Sequence, residues 1–360
     1  MERQAMRRLW IFDHADIAGG GQRFALRLAR HAAEQGTEVQ VVCPAASALA
    51  GWCREAGVGV VDADFPRFGR AELPRMAAAL ARGRRQLDGL PADELIVANS
   101  ARVQAYLFAA SRLRRGRVRV VNVMHEQDSA RRPSARFAYR RFGSLLVIGE
   151  AAARAYRERL PGLTVHEANN FLSGEELASF EALRGGRSGA GGPPTLGTLG
   201  RMIPEKGFVE LVEELADSAV REHWGRLVLA AFPQDDHYER GLLARIEELG
   251  LEQAVELIAP RPAAEVLAGI DALIVPSTGH EAQPTSIIEA LAAAVPVIVR
   301  APLWSSAYAG LPVLRYASRG ELASALEHLP PAPAEPAAIA ARFGPEQFMG
   351  ALETAGAAAG

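Results

Sequence analysis

Short apolar runs alternate with longer amphipathic stretches along nearly the whole chain, and this alternation limits the available folds more than any single residue does. Leu9 to Asp13 reads as a strand, Gln22 to Gln35 as a helix stopped by Gly36, and Val39 to Val42 as the next strand. Val58 to Val61, Leu95 to Val97, Val118 to Val123 and Leu145 to Ile148 continue the strands, with helical stretches at Ala71 to Gln86, Ala101 to Arg112 and Glu150 to Arg159 between them. A second series begins at Thr195 to Gly200 and runs through Leu227 to Ala230, Val255 to Ile258, Ala272 to Val275 and Val297 to Val299. Strands separated by helices form parallel βαβ units, covered by helices on both faces. The expected fold class is therefore α/β, with two Rossmann-like domains.

The break between the two series is Arg184 to Pro194, too rich in glycine for the interior of an element. Pro330 to Pro336 reads as a linker, Pro345 to Ala355 as a final helix, and Gly356 to Gly360 as a frayed tail. The expected division is residues 1–172, residues 173–335 and a closing helical segment, 336–360. A chain of 360 residues with 49% hydrophobic and 23% charged residues has ample core for two such domains. A formal net charge of -2, from 40 basic and 42 acidic residues, gives no global pull toward nucleic acid. Cys43 and Cys53 are the only cysteines and form no ligand cluster, which predicts a reducing, cytoplasmic setting and no structural zinc. The charged Met1 to Arg8 is unlike a signal peptide, and no segment approaches the roughly 18 apolar residues of a membrane span.

Parallel α/β sheets bind ligands beyond the carboxyl ends of their strands, so loops after strands carry the candidate site. After Ala272 to Val275 come Glu281-Ala-Gln-Pro-Thr-Ser-Ile-Ile-Glu289. Pro284 suits a first helical turn, leaving Thr285 and Ser286 to aim backbone N–H groups at an anion. Eight residues of helical rise separate Glu281 from Glu289, about 12 Å, which matches the reach from a sugar across a diphosphate to a ribose. Ser286 with Glu289 also fits a capping box that needs no ligand. Gly200-Arg-Met-Ile-Pro-Glu-Lys-Gly207 follows the first strand of the second series, where Arg201, Lys206 and the start of a helix near Gly207 can converge on a diphosphate. A solvated turn with two surface charges accounts for the same spacing.

On these two loops the chain resembles the retaining glycosyltransferases of the GT-B fold, family 4. The resemblance implies two domains facing each other across a cleft, with a C-terminal helix returning to the N-terminal domain. It implies that Glu281 contacts a donor sugar, that Glu289 contacts the nucleotide ribose, and that Arg201 and Lys206 bind the phosphates. It further implies transfer from a UDP- or GDP-sugar to a hydroxyl acceptor, without metal or cofactor, by attack on the face that the leaving group departs from. Asp13-His-Ala-Asp-Ile-Ala-Gly-Gly-Gly-Gln22 resembles the glycine-rich loop of the family, which places Gly20 and Gly21 beside the distal phosphate. A Rossmann dinucleotide loop fits poorly, because Phe24 stands where its third glycine belongs and Val42-Cys-Pro44 lacks a ribose-binding acid. His125, at the end of Val121 to Met124, corresponds to the residue that hydrogen-bonds the transferred sugar; a structural histidine is the alternative. Glu126, His14 and Asp16 are candidates for the acceptor side.

Two departures from the family pattern leave donor choice open: Leu229-Ala-Ala-Phe-Pro233 lacks a Gly-x-Gly turn, and Gln283 replaces an aromatic residue. The segment Arg131 to Arg141 mixes arginine with Phe137 and Tyr139, as a solvated charged face, an anionic-acceptor contact or a membrane-surface segment at the inner face would. Asp62 with Asp64, and Asp235 with Asp236, lack supporting metal ligands. The rival classes are a GT-B nucleotide-sugar epimerase and a catalytically silent nucleotide-sugar-binding protein.

Overall fold

The computed structural model describes residues 8–16, 19–67, 69–91, 94–112, 119–125, 144–186, 192–233, 236–278, 281–330 and 334–359. The chain divides into two compact units, Met1–Ser173 with Pro345–Gly360, and Gly174–Gly344.

The first unit is built on β1 (Arg8–Phe12), β2 (Glu38–Cys43), β3 (Gly59–Asp62), β4 (Leu95–Ala98), β5 (Arg119–Met124), β6 (Ser144–Ile148) and β7 (Thr164–Ala168). Every pairing is parallel and the order is β3-β2-β1-β4-β5-β6-β7. β4 and β6 are buried throughout, as continuous apolar runs covered on both faces must be. The helix Gly20–Glu34 sets Phe24, Ala25, Leu28, Ala29 and Ala32 on its buried stripe, the 3.6-residue period seen in the sequence.

The second unit repeats the plan with β8 (Thr195–Met202), β9 (Arg226–Pro233), β10 (Val255–Ile258), β11 (Ala272–Val275), β12 (Val297–Arg300) and β13 (Val313–Tyr316), all parallel in the order β10-β9-β8-β11-β12-β13. Its core joins Phe208, Leu211, Val212 and Leu215 of the helix Phe208–Leu215 to Leu196, Leu227, Leu229 and Ile274. Trp224 is enclosed there, its indole N–H donating to Leu215 O at 3.0 Å. β13, Val-Leu-Arg-Tyr, is not among the strands expected from the sequence.

Two expectations about irregular segments are corrected. Gly356 is not in a frayed tail: the helix Pro345–Ala358 lies on β5, β6 and β7, Gly356 O accepts from Arg119 Nε at 3.2 Å, and a Cβ there would come within 3.1 Å of Leu95. Small residues let that helix approach the sheet closely. Arg184 is likewise not part of a loose break, since its guanidinium donates to Ala292 O, Leu291 O and Ala334 O at 2.8–3.3 Å. The closing segment divides between the units, Pro336–Phe343 lying in the second and Pro345–Ala358 in the first.

Candidate functional site

Both sheets reverse their strand order at one place, between β1 and β4 in the first unit and between β8 and β11 in the second. At such a point the loops leave in opposite directions and open a crevice beyond the strand ends, where parallel sheets bind ligands. Each crevice here holds a polar cluster.

In the second unit the loop after β8 is laced to the loop after β11. Gly207 makes the first loop turn with φ +71°, and a Cβ on it would meet Pro276 O at 2.5 Å, so only glycine lets the two backbones approach this closely. Thr278 N donates to Glu205 O at 3.1 Å across the same seam. The seam brings Lys206 Nζ within 2.5 Å of Glu281 Oε1, while Ser277 Oγ donates to Glu281 Oε2 at 3.2 Å. Gly200, at φ +156°, leaves the room that the Lys206 side chain occupies. Arg201 is still within β8, exposed, and makes no side-chain hydrogen bond or ion pair among the described residues. Its register partner on β9 is Phe232, which is 48% exposed.

Two details differ from expectation. The helix after Glu281 is Thr285–Ala292, with Pro284 in extended conformation as its N-cap and no side-chain cap. Ser286 is therefore inside the helix and Ser286 with Glu289 is no capping box; Glu289 follows Thr285 by four residues, on the same face. The N-terminus of Phe208–Leu215 finds another partner than an anion: the N–H groups of Phe208 and Val209 donate to the Tyr238 hydroxyl at 3.2 and 3.4 Å.

In the first unit the cluster spans the ends of three adjacent strands. Asp13 follows β1 and is completely buried; its Oδ1 accepts from Ala15 N at 2.6 Å and Gln22 Nε2 at 3.0 Å, and its Oδ2 from Asn99 Nδ2 at 2.6 Å. Asn99 and Ser100 follow β4, and Asn99 N donates to Phe12 O, so the two strand ends interlock. His14 Nδ1 and Ser100 Oγ share a hydrogen bond of 3.0 Å. His125 follows β5, and its Nε2 lies 2.8 Å from Asn99 Oδ1. Phe24 packs edge-on against the His125 ring at 4.7 Å and is itself held by Phe171 and Phe348, the last from the Pro345–Ala358 helix. Burial lowers the His125 pKa to about 4, so the ring is neutral near pH 7.

Gly20 and Gly21 are the first two residues of the Gly20–Glu34 helix, and a Cβ on either would meet nothing within 4 Å. Among the described residues no protein contact demands glycine there. Asp16 is held at 2.5 Å by Arg102, with Arg67 at 3.6 Å, so it serves an ion pair within the protein. Glu126 and the segment 131–141 lie outside the described residues. The sequence reading assigned no role to Asp13, Asn99, Ser100, Arg102 or Tyr238, although Asn99 and Ser100 satisfy the same strand-end rule that drew notice to His14.

Asp62 accepts from Ala45 N at 2.8 Å and Asp64 accepts from Arg75 at 2.7 Å, and among the described residues no group of three or more His, Cys, Asp or Glu could hold a metal ion. No described helix is long and apolar enough to cross a membrane. Both cysteines are free and buried, and burial raises the Cys53 thiol pKa to about 12.

Two family models match the chain, the glycosyl transferase 4-like domain over residues 19–163 and glycosyl transferases group 1 over residues 193–326. No curated protein matches it. Among solved structures it is similar to Anabaena Alr3699/HepE in complex with UDP and glucose, with a TM-score of 0.72 and 19% identity over 98% of this chain and 97% of that one. The lipopolysaccharide outer core galactosyltransferase WaaB, in its apo form, gives a TM-score of 0.72 and 15% identity over 97% of this chain and 99% of that one. Sucrose-phosphate synthase from Thermosynechococcus elongatus gives 0.70 and 16% over 98% of each chain. At these identities the likeness is one of fold.

Proposed function

The chain belongs to the GT-B glycosyltransferases, with a 4-like domain followed by a group 1 domain, and from that premise we propose a retaining hexosyltransferase that moves a sugar from a nucleoside diphosphate to a hydroxyl acceptor. The observation that carries this reading is the Lys206–Glu281 pair at the β8/β11 switch point, a cation and an acid held together by two laced loops. Lys206 and Arg201 take the diphosphate, Glu281 the hydroxyls of the sugar and Glu289 the ribose. The N–H groups of Thr285 and Ser286, which follow the Pro284 N-cap, add positive potential at the start of their helix, and Gly20 and Gly21 leave room beside the distal phosphate. Phe232, exposed beside Arg201, offers a face on which a nucleobase can stack.

Breaking the anomeric C–O bond leaves negative charge on the diphosphate. Fixed cations aimed at that charge lower the barrier, and here they take the place a metal ion holds in other transferases. Glu281 is bound by Lys206 and Ser277, which suits an orienting acid better than a free base or nucleophile. Same-face attack follows, with the departing phosphate oxygen taking the acceptor's proton. His125 supplies a neutral ring to a sugar hydroxyl, and His14 lines the acceptor side. Asp16, paired with Arg102, shapes that side without a free charge of its own. Two free, buried thiols suit a reducing, cytoplasmic compartment.

The Anabaena neighbour was solved with UDP and with UDP-glucose, so UDP-glucose is the first donor to try. Incubation with UDP-, GDP- and ADP-sugars, with and without sugar and lipid hydroxyl acceptors, should release free nucleotide. Turnover of the sugar-nucleotide with the nucleotide still attached would mean an epimerase, and binding without release a silent binding protein; either result would end the transferase reading.

A further inference from the structure

Asn99 admits only one arrangement of its amide. Its Nδ2 lies 2.6 Å from Asp13 Oδ2 and 2.8 Å from Gly21 O, both of them acceptors, so this end is the NH2 group and both protons are placed. The other end, Oδ1, can only accept, and it faces His125 Nε2 at 2.8 Å. A carbonyl oxygen opposite a ring nitrogen requires the proton on that nitrogen. Asp13 is fixed in its turn, since its three partners, Ala15 N, Gln22 Nε2 and Asn99 Nδ2, all donate. Gln22 cannot turn over either, because its Oε1 accepts from Gly19 N at 3.2 Å. Donors and acceptors therefore run one way from Asp13 through Asn99 to His125.

The backbone bears a cost for this order. Ala15 sits at φ +49°, in the left-handed region, where its N–H reaches Asp13. For a residue with a side chain that conformation is strained, and such strain is retained at sites where geometry matters.

We infer that Asn99, oriented by Asp13, is a positioning residue that holds His125 as the Nε2–H tautomer and so makes Nδ1 a hydrogen-bond acceptor for a sugar hydroxyl. The hydroxyl's part rests on the function proposed above; the tautomer does not. Because the ring is neutral and its Nε2 proton is committed to Asn99, it offers the sugar an acceptor and no donor. A sugar hydroxyl must then donate to it, and a donor sugar lacking that hydroxyl leaves an acceptor unpaired, the condition under which hydrogen-bonding sites discriminate most strongly.

The test uses full-length protein labelled with 15N in its eight histidines, with the His125 signals identified by their loss in His125→Gln. The expected pattern is a protonated Nε2 and an unprotonated Nδ1. In Asn99→Leu, which removes the acceptor at similar volume, the signals should move to the average of two exchanging tautomers. The same variant should release UDP from UDP-glucose about 10- to 100-fold more slowly, the scale of loss seen when a partner that orients a metal-bound histidine is removed. Its Kd for UDP alone should be unchanged. A wild-type ring protonated on Nδ1, or an Asn99→Leu protein that keeps the Nε2–H pattern, overturns the inference, and the first of these needs no variant to fold. A lost tautomer with undiminished turnover overturns the role given to Nδ1. A wild-type protein with the expected tautomer that consumes no sugar-nucleotide sinks the transferase reading and leaves the tautomer assignment standing.

Discussion

The two switch points solve the same geometric problem with different chemistry. In the second unit the crevice between β8 and β11 holds charge: Arg201 is exposed, and Lys206 and Glu281 form a partly buried pair. In the first unit the crevice between β1 and β4 holds a directed hydrogen-bond network around one buried acid, ending on a neutral histidine. In the function proposed above this becomes a division of labour, in which the second unit grips an anion and the first reads hydroxyls. A grip tolerates imprecise placement because Coulomb attraction falls off slowly, whereas a hydrogen-bond network fails when one amide turns over.

The largest expected effect tests the charged crevice. Lys206→Ala should lower kcat for nucleotide release about a hundredfold with the fold intact by circular dichroism; near wild-type turnover would remove the leaving-group role. Gly207→Ala attacks the seam itself. It should cost at least about 2 kcal/mol in urea unfolding, because φ +71° and the contact with Pro276 O act together, and an unchanged midpoint would mean the two loops are not laced as described.

The neutral crevice makes a prediction about pH. His125 has a folded pKa of about 4 against about 6.5 when unfolded, so on acidification the unfolded chain takes up this proton first. Its contribution is constant above pH 6.5 and is lost as pH falls from 6.5 toward 4, with a slope of up to about 1.4 kcal/mol per pH unit. His125→Gln should flatten that part of the stability curve, while Lys206→Ala should leave it as it is. An equal slope in His125→Gln would contradict the lowered pKa of the ring. The smallest effect lies just past the Thr285–Ala292 helix, where Ala294 holds φ +59°. Ala294→Gly should gain up to about 1 kcal/mol, and a loss of stability there would show that packing, not backbone strain, governs the turn that follows the Glu289 helix.

Much of the second crevice was legible in the sequence because its residues lie in two compact loops. Lys206 sits six residues after Gly200, and Glu281 follows a buried strand, so strand-end logic finds both. The first crevice was legible only at His14, His125 and the glycines. Asp13 and Asn99 are 86 residues apart and Asn99 and His125 are 26 apart, and no local spacing announces a bond made across strands. Side-chain competition was equally hidden: Arg102 claims Asp16 from 86 residues away, and Tyr238 reaches back 30 residues to the helix start after Gly207. The capping-box alternative for Ser286 turned on one position, since placing Pro284 at the N-cap moves Ser286 into the first helical turn.

In the proposed reaction the activated sugar is held in the Lys206–Glu281 crevice. A crystal structure of the protein with UDP-glucose tests it most directly. Diphosphate oxygens within hydrogen-bond distance of Lys206 Nζ and the Arg201 guanidinium, with the glucose hydroxyls on Glu281, are the predicted result. A nucleotide bound elsewhere, with the Lys206–Glu281 pair closed on itself and Arg201 in solvent, would contradict it.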